Sequence, residues 1–82
     1  MTTAEVVQTI VRVVSPYVGE TMARSATKAH CQKLGIGTDM GTEQLEALLS
    51  RLGSALNIFL GRAKSSRVVA ELRQAMSPRR PS

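Results

Sequence analysis

From Leu45 to Leu60 the chain reads LEALLSRLGSALNIFL. Leu45, Leu48, Leu49, Leu52, Leu56, Phe59 and Leu60 recur at steps of three and four, which draws a single apolar stripe along one helix. A helix with one apolar stripe is stable only when other elements cover that stripe. Gly53 interrupts it at a cost of about 1 kcal/mol relative to alanine, which a close helix contact can offset. Thr42 is the expected N-cap, and Gly61 the expected end or bend.

The other segments match this one. In TTAEVVQTIVRVVSP, Glu5, Gln8, Thr9 and Arg12 fall at helical spacing, with Val6, Val7, Ile10, Val13 and Val14 on the other side. That period outweighs the strand propensity of the β-branched residues. Thr2 followed by Glu5 fits a capping box. Ser15-Pro16 reads as an N-cap and first helical residue of a second helix running to about Leu34. Gly35 is then a left-handed stop, with Ile36 folding back as its apolar partner. GIGTDMG, Gly35 to Gly41, is the one clear loop and reads as a flexible turn. A fourth helix over about Ala63 to Met76 presents Val68, Val69, Leu72 and Met76. The prolines of SPRRPS predict a mobile basic tail over 77–82. The fold predicted is all-α, a compact bundle of about four helices with short connections, forming a single domain over 1–76.

With 82 residues and only Tyr17 and Phe59 as aromatics, the core must be built from aliphatic side chains. Chains this short often gain stability by burying more surface in an oligomer. A single cysteine excludes an internal disulfide framework and suits a reducing compartment. The absence of any long apolar run or secretory leader pattern predicts a soluble cytoplasmic protein without a membrane span.

The residues that could carry chemistry are few. His30 and Cys31 are the only His and Cys. Neighbours on a helix point about 100° apart and do not face each other, and zinc needs three or four protein ligands. Both read as structural, His30 favouring the C-terminal dipole of its helix when protonated. GIGTDMG follows a helix rather than a strand and lacks the lysine of a phosphate loop. No enzyme, metal or cofactor is predicted.

Two other features point to association. Gly19, Ala23, Ala26 and His30 line one face of the second helix at steps of four, three and four, a surface on which another helix can come close. The polar Glu20, Arg24, Thr27 and Lys28 are expected to point elsewhere. The second feature is charge. Residues 1–61 hold five basic and five acidic side chains, so the net +5 arises entirely from 62–82, where Arg62, Lys64, Arg67, Arg73, Arg79 and Arg80 face Glu71 alone. Basic groups at a helix start oppose the macrodipole, so Arg62, Lys64 and Arg67, with Arg79 and Arg80 of the tail, are the expected partner contact. Stacking aromatics for single strands and a helix-turn-helix spacing for duplex DNA are both missing.

Tyr17, Val18, Gly19, Met22 and Ala23, followed by Phe59, Leu60 and Gly61, carry a resemblance. The chain resembles small helical segments at the ends of bacterial signalling proteins, in which a Y-(I/V)-G-P-(M/I)-A-like turn opens a helix and a Leu-rich helix ends near F-(L/V)-G. Glu20 stands where that pattern has proline. The resemblance implies an accessory or docking module in bacterial signalling or cell organisation. The function expected is thus a protein-interaction or adaptor module that forms a homo-oligomer. The alternative is a nucleic-acid-associated protein gripping phosphates with its basic C-terminal quarter.

Overall fold

A computed structural model of the chain describes residues 2–76. The chain forms an all-α bundle of four helices: α1 (Thr3–Val18), α2 (Glu20–Lys33), α3 (Thr42–Leu60) and α4 (Arg62–Met76). Each helix packs on its chain neighbours, and α4 closes the ring against α1. The pairings Gly53 with Val69 and Asn57 with Ser65 show α4 running against α3. Residues 77–82, including Arg79 and Arg80, lie outside the described residues.

Thr2 caps α1 as its sequence predicts, its side chain accepting from the Glu5 N–H at 3.3 Å. Val6, Val7, Ile10, Val11 and Val14 are buried. Val11 joins the valine face, and Val13 sits half-buried beside it. The expected start of α2 at Ser15-Pro16 is corrected. The helix of α1 continues through Pro16 and ends at Val18. Two causes act together. The spacing Val7, Val11, Val14, Val18 remains apolar across the proline, and Val18 packs on the core. Gly19, three residues on, adopts φ +92°, a conformation open to glycine at little cost. Its N–H donates to the Ser15 carbonyl at 2.8 Å, closing α1, and α2 starts at the next residue.

The end of α2 follows its sequence. Gly35 is at φ +69°, its N–H donates to the Gln32 carbonyl, and the Ile36 N–H donates to the Cys31 carbonyl. This is a complete Schellman closure, with Ile36 packed on the core. The loop beyond it is pinned, contrary to the flexible turn expected. The Thr3 N–H donates to the Thr38 carbonyl and the Thr3 hydroxyl to the Gly37 carbonyl, while Met40 is buried. The N-cap of α3 is Gly41 and not Thr42, and the Gln44 side chain accepts from the Gly41 N–H at 3.0 Å.

Leu45, Leu48, Leu49, Leu52 and Leu56 are buried and form the centre of the core with Ile10, Val68 and Leu72. Phe59 departs from that stripe, being 59% exposed. Its direction around α3 matches that of Leu52 and Leu56, and it borders the slot left between α2 and α3. On α4 the buried residues are Ser65, Val68, Leu72 and Met76, with Val69 half-buried. The Ser65 hydroxyl donates to Asn57 Oδ1, which satisfies a buried polar group across the α3–α4 seam.

Gly53 is the close contact that its retention in α3 suggests. A Cβ placed there would stand 3.2 Å from Val69 Cγ2. Gly53→Ala therefore gains helix propensity of about 1 kcal/mol while pressing on a half-buried side chain, and is expected to leave Tm nearly unchanged. Gly53→Leu has no such room and lowers stability by about 1–3 kcal/mol. Thermal denaturation followed by circular dichroism distinguishes the two.

Candidate functional site

Every large apolar side chain that stands exposed among the described residues lies at one end of the bundle. Tyr17 is in the last turn of α1, Met22 in the first turn of α2, and Ile58 and Phe59 in the last turn of α3; Ile58 is 85% exposed. The same end carries the one-residue junctions at Gly19 and Gly61, both at positive φ. α3 ends in Ile58-Phe59-Leu60 before its glycine break, and there Leu60 packs on the core while Ile58 and Phe59 stay exposed.

Below this end α2 and α3 touch over only a short stretch, and between them lies an apolar slot of about 40 Å³. Met22, Ala23 and Ala26 of α2 line it with Leu52, Ala55 and Phe59 of α3. Thr27 also reaches it and is buried, contrary to the outward direction expected of it. Its hydroxyl donates to the Ala23 carbonyl at 2.7 Å, so it enters the core with its polar group satisfied.

The small-residue face of α2 is thus rotated from its expected position. Ala23, Thr27 and Cys31 point inward, while Ala26 and His30 turn toward α3 and are half-buried. Gly19 is not on a packed face at all: a Cβ there would meet nothing within 4 Å, and its role is the backbone turn.

His30 sits in the last turn of α2 with its Nδ1 buried and without a hydrogen-bond partner. Burial pushes its pKa below the usual 6.5, and the nearby positive charges of Arg51 and Lys33 push it the same way. Both effects act against the helix dipole, which would favour the protonated form. Because the folded chain resists protonation of His30, stability present above the ordinary histidine pKa declines as pH falls through it toward the lower folded value. Denaturant midpoints measured from pH 7.5 down to 5.5 should fall, and His30→Gln should flatten that part of the profile. Cys31 is buried as a free thiol, and burial pushes its pKa up, away from nucleophilic reactivity. Among the described residues no three His, Cys, Asp or Glu side chains stand together.

The basic cluster does not form a single face. Arg62 lines the α3–α4 groove with Ser54, Asn57, Ser66 and Arg73. Helical spacing places Lys64 and Arg67 on the opposite flank with Glu71, whose carboxylate accepts from the Tyr17 hydroxyl of α1 at 3.4 Å. Arg73 is held by Glu46 at 2.7 Å. Arg62, Lys64 and Arg67 form no ion pair among the described residues. Sequence reasoning found these cations but missed the pair on the α2–α3 side, Lys33 and Arg51, which flank the neutral His30. Its members lie on two helices far apart in the chain, so no local charge run marks them.

No family model matches the chain, and neither a curated protein nor a solved structure is found to match it. Among the described residues no helix is long and apolar enough to cross a membrane. The class that the fold defines is a small four-helix bundle with an exposed apolar end.

Proposed function

We propose that the protein is a helical interaction module that serves as an adaptor for a larger protein and associates weakly with itself, in bacterial signalling or cell organisation. The observation that carries this reading is the exposure of Met22, Ile58 and Phe59 at one end, with Met22 and Phe59 lining one apolar slot. Scattered exposed apolar side chains are ordinary, whereas a cluster of them marks a contact surface. So small a patch falls short of the roughly 800 Å² per partner of a standard interface, so self-association through this end alone is weak. The nucleic-acid alternative draws less support, since Arg62 is turned away from Lys64 and Arg67. A cytoplasmic setting accords with the reduced Cys31.

The test is sedimentation and affinity capture of the wild-type chain beside Ile58→Ser/Phe59→Ser. Both side chains are exposed, so the double variant keeps the fold. Loss of captured protein and of self-association in the variant, at unchanged helicity, is expected. Equal recovery of the same partners would sink the reading, and recovery that disappears with nuclease would favour phosphate binding.

A further inference from the structure

We infer that the α2–α3 side of the bundle is a groove for an acidic amphipathic helix, laid along the two helices with an apolar side chain anchored between Met22 and Phe59. The inference rests on the association reading above and identifies the partner's chemistry.

The groove is defined by helical spacing and by contacts. On α2, Met22, Ala26, His30 and Lys33 follow one another at steps of four, four and three; on α3, Arg51, Ala55 and Ile58 do so at steps of four and three. The two rows face each other. Ala26 and Ala55 line the same slot, and Arg51 and His30 are near enough for the charge of one to depress the protonation of the other. Met22 to Lys33 spans about 16 Å at 1.5 Å per residue, which is the length of three helical turns. The floor is alanine, so a guest backbone can come close. The upper end offers Met22, Ile58 and Phe59, together with an apolar slot of about 40 Å³ that no side chain of the described chain fills.

Charge selects the guest. The lower end holds the cations Lys33 and Arg51 beside the half-buried His30, and neither cation is paired with a carboxylate among the described residues. Asp39 stands in the α2–α3 loop, bridged through its backbone to Thr2, and the other acids near these helices are committed or distant. Glu20 is bound by Arg24 at 3.2 Å, Glu46 by Arg73 at 2.7 Å, and Glu43 lies two turns before Arg51, about 12 Å along the axis. A second copy fits this groove poorly. A two-fold axis along the groove would oppose cations to cations, and one across it would set the cationic end of each copy on the apolar end of the other. A helix with leucines at i, i+3, i+4 and i+7 near one end and glutamates near the other matches both halves.

The probe is a fluorescein-labelled 16-residue peptide of Leu, Ala and Glu in that pattern. It is compared with a peptide of the same composition in scrambled order and with one carrying Lys for Glu. Anisotropy is read at low and physiological salt, and the contact is mapped by amide chemical shifts. One-to-one binding of the patterned peptide is expected, with shifts confined to α2 and α3. Arg51→Glu and Phe59→Ser should each weaken it by roughly tenfold or more. Both positions are exposed, so unchanged helicity separates a lost contact from a lost fold. Equal binding of the scrambled peptide, shifts on the α1–α4 side, or no binding by the patterned peptide would overturn the inference. If the peptide fails while association dependent on Ile58 and Phe59 persists, only the groove proposal falls and the adaptor reading stands.

Discussion

Leu48→Ala is expected to lower the melting temperature by about 10–30 °C, the largest effect of any single change considered. Leu48 is fully buried at the centre of the leucine stripe, between the valine face of α1 and Val68 and Leu72 of α4. Removing three side-chain carbons from such a site costs about 2–5 kcal/mol, because the surroundings collapse only in part. A chain of this length has a total stability of about 4–12 kcal/mol, and each kcal/mol moves Tm by about 4–8 °C in a domain of this size. Phe59→Ala removes more atoms, yet it should cost under about 1 kcal/mol, since Phe59 is 59% exposed. Melting curves for the two variants side by side check both values. A Leu48→Ala shift no larger than that of Phe59→Ala would mean the leucine stripe is not the core.

A loss as large as that at Gly53→Leu is expected from Ala23→Leu, at about 1–3 kcal/mol. Ala23 is 2% exposed and lies where α2 is held against α1 and α3. A leucine there either forces α2 outward or takes a strained rotamer, whereas Ala23→Ser at the same site adds one atom and should be mild. Gly19 gives an instructive contrast. Its φ of +92° and ψ of 151° belong to a region that side-chain-bearing residues avoid at a cost of about 1–3 kcal/mol, and the space around it is empty. Gly19→Ala and Gly19→Leu should therefore lower Tm by similar amounts, while substitutions at position 23 should scale with size. Size dependence at Gly19 would show that another element packs against it.

The helices were legible where one residue type dominated a face. The leucines of α3, the valines of α1, the Gly35 stop and the break at Gly61 all follow from local spacing and backbone freedom. Ser15-Pro16 misled because proline is suited to a helix start, and local sequence does not reveal that burying Val18 favours carrying α1 one turn further. Thr27 was read as polar and therefore outward. A threonine that donates to the carbonyl four residues earlier loses that polarity, and only the packed structure shows the bond. The loop Gly35 to Gly41 contains glycines that suggest mobility, but the hydrogen bonds restraining it come from Thr3, more than thirty positions away. The candidate site was half visible. The basic residues of α4 stand out as a run, yet the helix turns them to opposite flanks. The cations and apolar side chains of the α2–α3 side converge only after folding.

The junctions at Gly19 and Gly61 each join two antiparallel helices through a single residue. Contacts within α1–α2 and within α3–α4 are therefore made inside single hairpins, and the contact of α1 with α4 is the one that joins the first helix to the last. Little loop entropy stands between the unfolded chain and either hairpin. Such a topology belongs with the helical proteins that fold in microseconds to milliseconds, so each pair of helices can form soon after it is synthesised. The exposed apolar end, built around those junctions, would then be assembled before a partner arrives.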